Sequence, residues 1–155
     1  MTAYQIGVDE AGKGPVLGPM IAAAVRADEN ELPADVADSK ELSESTRESI
    51  AVDLRDAETI DTGVGIVTTE EIDNPETDMN SLTVTAQVRA ITEVASDGDH
   101  AILDAGDVSE SRFGRRVEAG VGEAGIDINV TAEHGADESN RLVGAASVVA
   151  KVERD

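Results

Sequence analysis

Two short apolar runs, AYQIGVD at 3–9 and MIAAAVRA at 20–27, stand on either side of the glycine-rich segment EAGKGPVLGP at 10–19. Runs this short, rich in Ile, Val and Ala and separated by so brief a turn, read as two strands lying antiparallel side by side. Asp9 and Glu10 then mark the point where a strand runs into a functional loop. Everything after residue 27 has to build on that pair.

The polar stretch Asp28 to Lys40, with Pro33 inside it, reads as a loop. Ser45 followed by Glu48 fits a capping box, with Ile50, Leu54 and Ala57 on one face of the helix it opens. A third strand runs from about Thr59 to Val67, and Thr68 or Thr69 caps a short helix through Ile72. Met79, Leu82, Ala86, Ile91, Val94 and Ala95 recur at helical spacing and predict a long helix ending at the turn Ser96-Asp97-Gly98. HAILDAG at 100–106 is a short strand closed by an acid, Ser109 starts a helix to about Val121, and Ile126 to Thr131 is a fifth strand. The loop AEHGAD leads to a helix of small residues from Asn140 to Arg154. Three strands followed by alternating helices and strands predict one α/β layer with an antiparallel start and parallel additions. Topology would bring Asp9, Asp104 and Asp137 towards one edge of the sheet.

A chain of 155 residues suits one domain, 1–155. It has no cysteine, so a metal has to be held by oxygen or by His100 and His134, which favours hard cations. The N-terminus lacks a signal-peptide pattern and no stretch approaches the ~20 apolar residues of a membrane span, so a cytoplasmic, membrane-free protein is expected. The net charge of -21, from 33 acidic and 12 basic residues, argues at first against a polyanionic partner. The acids are spread along the chain, however, and 40% of residues are hydrophobic, which describes a folded protein adapted to high salt. At ~1 M salt the Debye length is only ~3 Å, so diffuse surface charge neither repels nor retains a nucleic acid.

The segment DEAGKGPVLGP at 9–19 carries the first chemical signal. Glycine allows close approach of a ligand and frees backbone N–H groups, so a cation and a phosphate could meet beside the two acids. Taken alone it is equally an acidic glycine-containing turn. Gly12, Gly14 and Gly18 also approximate a dinucleotide-binding fingerprint, but with one residue too many between the second and third glycines.

The sequence resembles ribonuclease HII of the archaeal type. The matching blocks are DEAGKGP at 9–15, DSKELS at 38–43, MNSL at 79–82, ILDAGD at 102–107, and AEHGAD followed by AASVVAKVERD. The resemblance implies a ribonuclease H-like fold with a central mixed five-stranded sheet flanked by helices. It implies Asp9, Glu10, Asp104 and Asp137 as catalytic, metal-holding acids, and Gly12, Lys13 and Gly14 as the loop that contacts the ribonucleotide. Lys40 in the DSK block is a further candidate for a phosphate contact. The implied activity is endonucleolytic hydrolysis of the RNA strand of RNA/DNA hybrids and cutting at ribonucleotides embedded in duplex DNA. Two Mg2+ or Mn2+ ions would serve it, leaving 5'-phosphate and 3'-hydroxyl ends, and a monomer is expected.

Such relatives usually continue into further helices carrying a tyrosine that packs on the sugar at the junction. The chain is expected to lack that extension, and its one tyrosine, Tyr4, falls in the first strand. Two other readings stand beside the nuclease: a shortened hybrid-binding module with little turnover, and a Rossmann-type nucleotide-binding domain. His134 is expected to serve loop packing, and Asp107 to precede a helix at the surface.

Overall fold

The computed structural model describes residues 4–11, 19–32, 43–73, 78–105 and 108–154. Strands β1 (Tyr4–Ala11) and β2 (Met20–Asp28) pair antiparallel from Tyr4 opposite Asp28 to Ala11 opposite Ile21. β1 thus runs two residues beyond its expected end and takes Glu10 and Ala11 into the sheet. β3 (Asp61–Val67) pairs antiparallel with β2. On the other side β4 (His100–Asp104) and then β5 (Asn129–Glu133) add in parallel, giving the order β3-β2-β1-β4-β5. The mixed five-stranded sheet is the one expected. β5 begins later than Ile126 because residues before it close the preceding helix: the Ile126 N–H donates to the Val121 carbonyl.

Helix α1 (Glu44–Asp56) is capped by Ser43, whose Oγ accepts from the Thr46 N–H at 3.2 Å, two residues before the expected cap at Ser45. Thr68 caps the short α2 (Thr69–Ile72) through a capping box with Glu71. Asp78 caps α3 (Met79–Val94), and Ser109 caps α4 (Glu110–Glu123). The segment expected as a loop before the last helix contains a short helix, α5 (Ala136–Ser139), ahead of α6 (Arg141–Arg154). A 3-10 turn at Glu29–Glu31 opens the stretch expected as a loop.

The helices cover both faces of the sheet. α3 and α4 enclose Ile6, Val8, Met20, Leu103 and the fully buried Phe113, whereas α1 and α6 enclose Val25, Ile50, Leu54, Leu142 and Val149. Each such side chain contributes about 1.5–3 kcal/mol when fully buried. Strand glycines set how close the helices come: a Cβ on Gly7 would overlap the backbone of Leu142 in α6, and one on Gly65 the carbonyl of Ala86 in α3.

Acidic and basic side chains from the helices occupy backbone groups on both outer strands. Glu93 accepts from the Val64 N–H at 2.6 Å and Arg89 donates to the Ile66 carbonyl at 2.6 Å, while Glu118 accepts from the Val130 N–H at 3.2 Å. These contacts engage backbone groups that an unprotected edge would offer to another chain. No helix among the described residues is long and apolar enough to cross a membrane.

Candidate active site

Strand alternation decides where the paired acids point. Gly7, Asp9 and Ala11 of β1 face α6, as the packing of Gly7 on Leu142 and of Ala11 in the α1–α6 core requires. Ile6, Val8 and Glu10 face α3. In β4, Ala101 and Leu103 also belong to the α3–α4 core, so Asp104 falls on the α6 side with Asp9. Val8 lies beside Leu103 in the parallel pairing, which sets the next residues, Asp9 and Asp104, side by side at the strand ends.

Asp137 reaches the same place through a tight connection. The Ala105 N–H donates to the Glu133 carbonyl at 2.9 Å, binding the end of β4 to the end of β5. Gly135 then takes φ 69°, a left-handed conformation that glycine adopts without a Cβ penalty, and turns the chain into α5. The Asp137 N–H points at Asp104 Oδ2 from 3.5 Å. Asn140 closes the motif, its Oδ1 accepting from the N–H groups of Leu142 and Val143 at 2.9 and 3.1 Å and so starting α6.

The result is a trio, Asp9, Asp104 and Asp137, each offering a carboxylate oxygen within 4.8 Å of the others. Asp9 is only 7% exposed. Burial pushes its carboxyl well above the ordinary range, and the charges of Glu10, Asp104 and Asp137 push it further, against a lowering hydrogen bond from the Glu10 N–H at 2.8 Å. Like charges ~4 Å apart cost about 1 kcal/mol even in water and more where buried, so the group is electrostatically incomplete without a cation. An all-oxygen donor set from carboxylates suits a hard divalent ion such as Mg2+ or Mn2+.

Glu10 stands outside the trio, on the α3 side of the strand end. Its Oε2 accepts from Nε2 of Gln87 at 2.7 Å, and the same nitrogen donates to the Asp104 carbonyl at 3.1 Å. Sequence reading had no place for Gln87. Its signal is a polar residue on the apolar stripe of α3, among Leu82, Ala86, Ala90 and Ile91. Gly12, Lys13, Gly14, Lys40 and Asp107 lie outside the described residues. His134 sits on the exposed turn after β5, its N–H donating to Glu110 Oε2 of α4 at 2.7 Å. Tyr4 lies at the opposite end of β1 from Asp9, its ring 4.9 Å from the Arg26 guanidinium, which in turn binds Asp99 at 2.9 and 3.2 Å.

Comparison with known proteins gives this geometry a family. The family model described as ribonuclease HII matches residues 6–155. The chain is 53% identical over 151 residues to the ribonuclease HII of Haloarcula marismortui, covering 97% of this chain and 70% of that one. It is 54% identical over 151 residues to that of Halobacterium salinarum, covering 97% of this chain and 69% of the relative. Among solved structures it resembles ribonuclease HII of Archaeoglobus fulgidus, determined in a complex with PCNA, with a TM-score of 0.84 and 37% identity over 97% of this chain and 71% of that one. The chain belongs to the ribonuclease HII family, metal-dependent endoribonucleases that cleave RNA in RNA/DNA hybrids.

Proposed function

We propose that Asp9, Glu10, Asp104 and Asp137 hold two divalent ions, Mg2+ or Mn2+, and that the chain hydrolyses RNA both in hybrids and at single ribonucleotides within duplex DNA. The observation that carries this reading is the trio of carboxylate oxygens within 4.8 Å of one another, gathered from β1, β4 and α5. Such a pair of ions, when bound, supplies Lewis acidity for in-line displacement at phosphorus, activating water and stabilising the departing 3'-oxygen.

The remaining work belongs to the chain. Asp9, the most buried of the three, contributes the central carboxylate, with Asp104 and Asp137 flanking it and Glu10 approaching from the α3 side. Cleavage with loss of the 3'-oxygen leaves 5'-phosphate and 3'-hydroxyl ends. Gly12, Lys13 and Gly14 are assigned to the ribonucleotide by family resemblance, their backbone N–H groups reading the 2'-OH that separates RNA from DNA. Lys40 is assigned to a neighbouring phosphate. In concentrated salt, affinity from phosphate neutralisation falls with a log–log slope of about -0.9 per contact, so short-range hydrogen bonds and ion bridges carry the recognition. We assign this activity to a single domain that acts as a monomer in the cytoplasm.

The test is cleavage in high salt with Mg2+ or Mn2+ of a duplex containing one ribonucleotide, beside an RNA/DNA hybrid and all-DNA and all-RNA duplexes. The parent chain is expected to cut the first two only, and Asp9→Asn to abolish cutting while leaving the fold intact. Hybrid binding without turnover by the parent chain, or retained cutting by Asp9→Asn, would refute the reading.

A further inference from the structure

Gln87 is fully buried in the middle of α3, on the side of the sheet opposite the acid trio. Its Nε2 donates to both Glu10 Oε2 and the Asp104 carbonyl, at 2.7 and 3.1 Å. Both acceptors are oxygens, so the amide's orientation follows from chemistry: its nitrogen has to face them. The other end of the amide, Oε1, is buried with no hydrogen-bond partner. A side chain present only to fill the core beside Leu82, Ala86 and Ile91 would be apolar, because an unpaired buried oxygen costs free energy that Leu or Met does not. The amide therefore has to be explained by what its nitrogen holds.

It holds two things that belong to neighbouring strands. One is the side chain of Glu10 at the end of β1, and the other is the main chain at Asp104, the end of β4. A single nitrogen ties them from behind, while Asp9 and Asp104 present their carboxylates on the other face. Gly65 makes the reach possible, since only a residue without Cβ lets the α3 backbone at Ala86 come down onto the sheet one residue before Gln87.

We propose that Gln87 is a positioning residue of the metal site: it fixes the Glu10 carboxylate and sets the end of β4 against the end of β1, and so governs how the acids meet divalent ions. The inference rests on the reading of these acids as the metal site. Removing a partner that orients a metal ligand typically lowers metal affinity or activity by 10–100-fold, although the partner never touches the ion.

The experiment replaces Gln87 with Met, which keeps the volume and loses both hydrogen bonds. Mn2+ titration of cleavage in high salt is expected to show half-activation moved at least tenfold higher, with KM for the hybrid unchanged. A merely structural role would lower the melting midpoint without moving the metal curve. In parallel, metal-free melting of Gln87→Met, Glu10→Ala and the double variant is expected to be non-additive, the Gln87 substitution costing less once Glu10 is gone. A metal-activation curve that overlays the parent's, or additive melting shifts, would overturn the proposal. An inert parent chain would count against the two-ion reading, and the melting cycle would still decide the brace on its own.

Discussion

Asp9 is buried among three other carboxylates, and among the described residues the Glu10 N–H donates to it. Its carboxyl is pushed upward, so between the ordinary value of about 4 and the raised one the folded state binds more protons than the unfolded state. Stability from this group is then complete at the acidic end of that window and is lost as pH rises through it. Glu71 has the opposite sign. Its hydrogen bonds from Arg89 and from Thr68 hold it down to about 2, so its contribution is present above the ordinary carboxylate value and disappears only as pH falls towards 2. The Glu71 contribution is constant once pH is about a unit above its ordinary value of 4.5, and the Asp9 contribution continues to change beyond that point. With divalent metal chelated, melting by circular dichroism from pH 4 to 8 should show the Asp9→Asn chain matching the parent at the acidic end and exceeding it at neutral pH. Mn2+ should raise the parent's midpoint at neutral pH, since a ligand bound only by the folded state stabilises it, and should raise that of Asp9→Asn much less. Parallel pH profiles for the two chains would show that Asp9 is not the strained group.

Helix α3 connects this residue chemistry to the sheet, and its depth is set by β3. At Gly65 a Cβ would meet the Ala86 carbonyl, and at Gly63 the carbonyl of Ala90, so the helix backbone rests directly on the strand. Gly65→Ala forces α3 outward, an overpacking change expected to cost about 1–3 kcal/mol, read as a lower melting midpoint. Because α3 also carries Gln87, the same variant should need more Mn2+ for half-activation; a midpoint drop with an unmoved metal curve would separate helix depth from the site. The order of elements was legible in the sequence, since hydrophobic spacing of period two or near 3.6 reports directly which side of an element is buried. Asp9 and Asp104 could be placed because each closes an apolar run and Asp137 because it follows the fifth strand, while their role as metal-holding acids came from the resemblance of their motifs to ribonuclease HII. Other features were hidden by being non-local. Ser43 and Ser45 both suit a helix cap, and only backbone geometry chose Ser43. The helix bearing Asp137 spans four residues, too few to show a period, and depends on the left-handed turn at Gly135. Glu10 separates from Asp9 because β1 continues to Ala11, which no local pattern around the glycine loop announced. Gln87 is unreadable without knowing that β1 and β4 end side by side beneath it.

The whole molecule has to keep those carboxylates together while carrying a net charge of -21. Ion pairs among the described residues include Arg89 with Glu71 and Arg55 with Glu153 at the surface, and Arg26 with Asp99 at the far end of the sheet. Surface pairs contribute at most about 1 kcal/mol each and cannot offset repulsion summed over the chain. Self-repulsion on this scale opposes the compact state wherever it is unscreened. Between roughly 0.1 and 1 M salt the Debye length falls from about 10 Å to about 3 Å, so repulsion between separated surface acids fades while the hydrogen-bonded contacts persist. The relatives from Haloarcula and Halobacterium are consistent with a protein suited to that regime. The melting midpoint should therefore climb steeply with KCl over this range and flatten above it. Lysine at the exposed positions Glu48, Asp53 and Asp56 of α1, on the side of the sheet away from α3, should raise the midpoint at low salt and leave the high-salt value nearly unchanged. If screened repulsion is the cause, the three substitutions and added KCl are interchangeable, and the charge-altered chain reaches the parent's high-salt midpoint at a lower KCl concentration. A parent midpoint independent of KCl, or lysines that stabilise equally at every salt concentration, would mean that the acids act through local contacts instead of through the field they sum to.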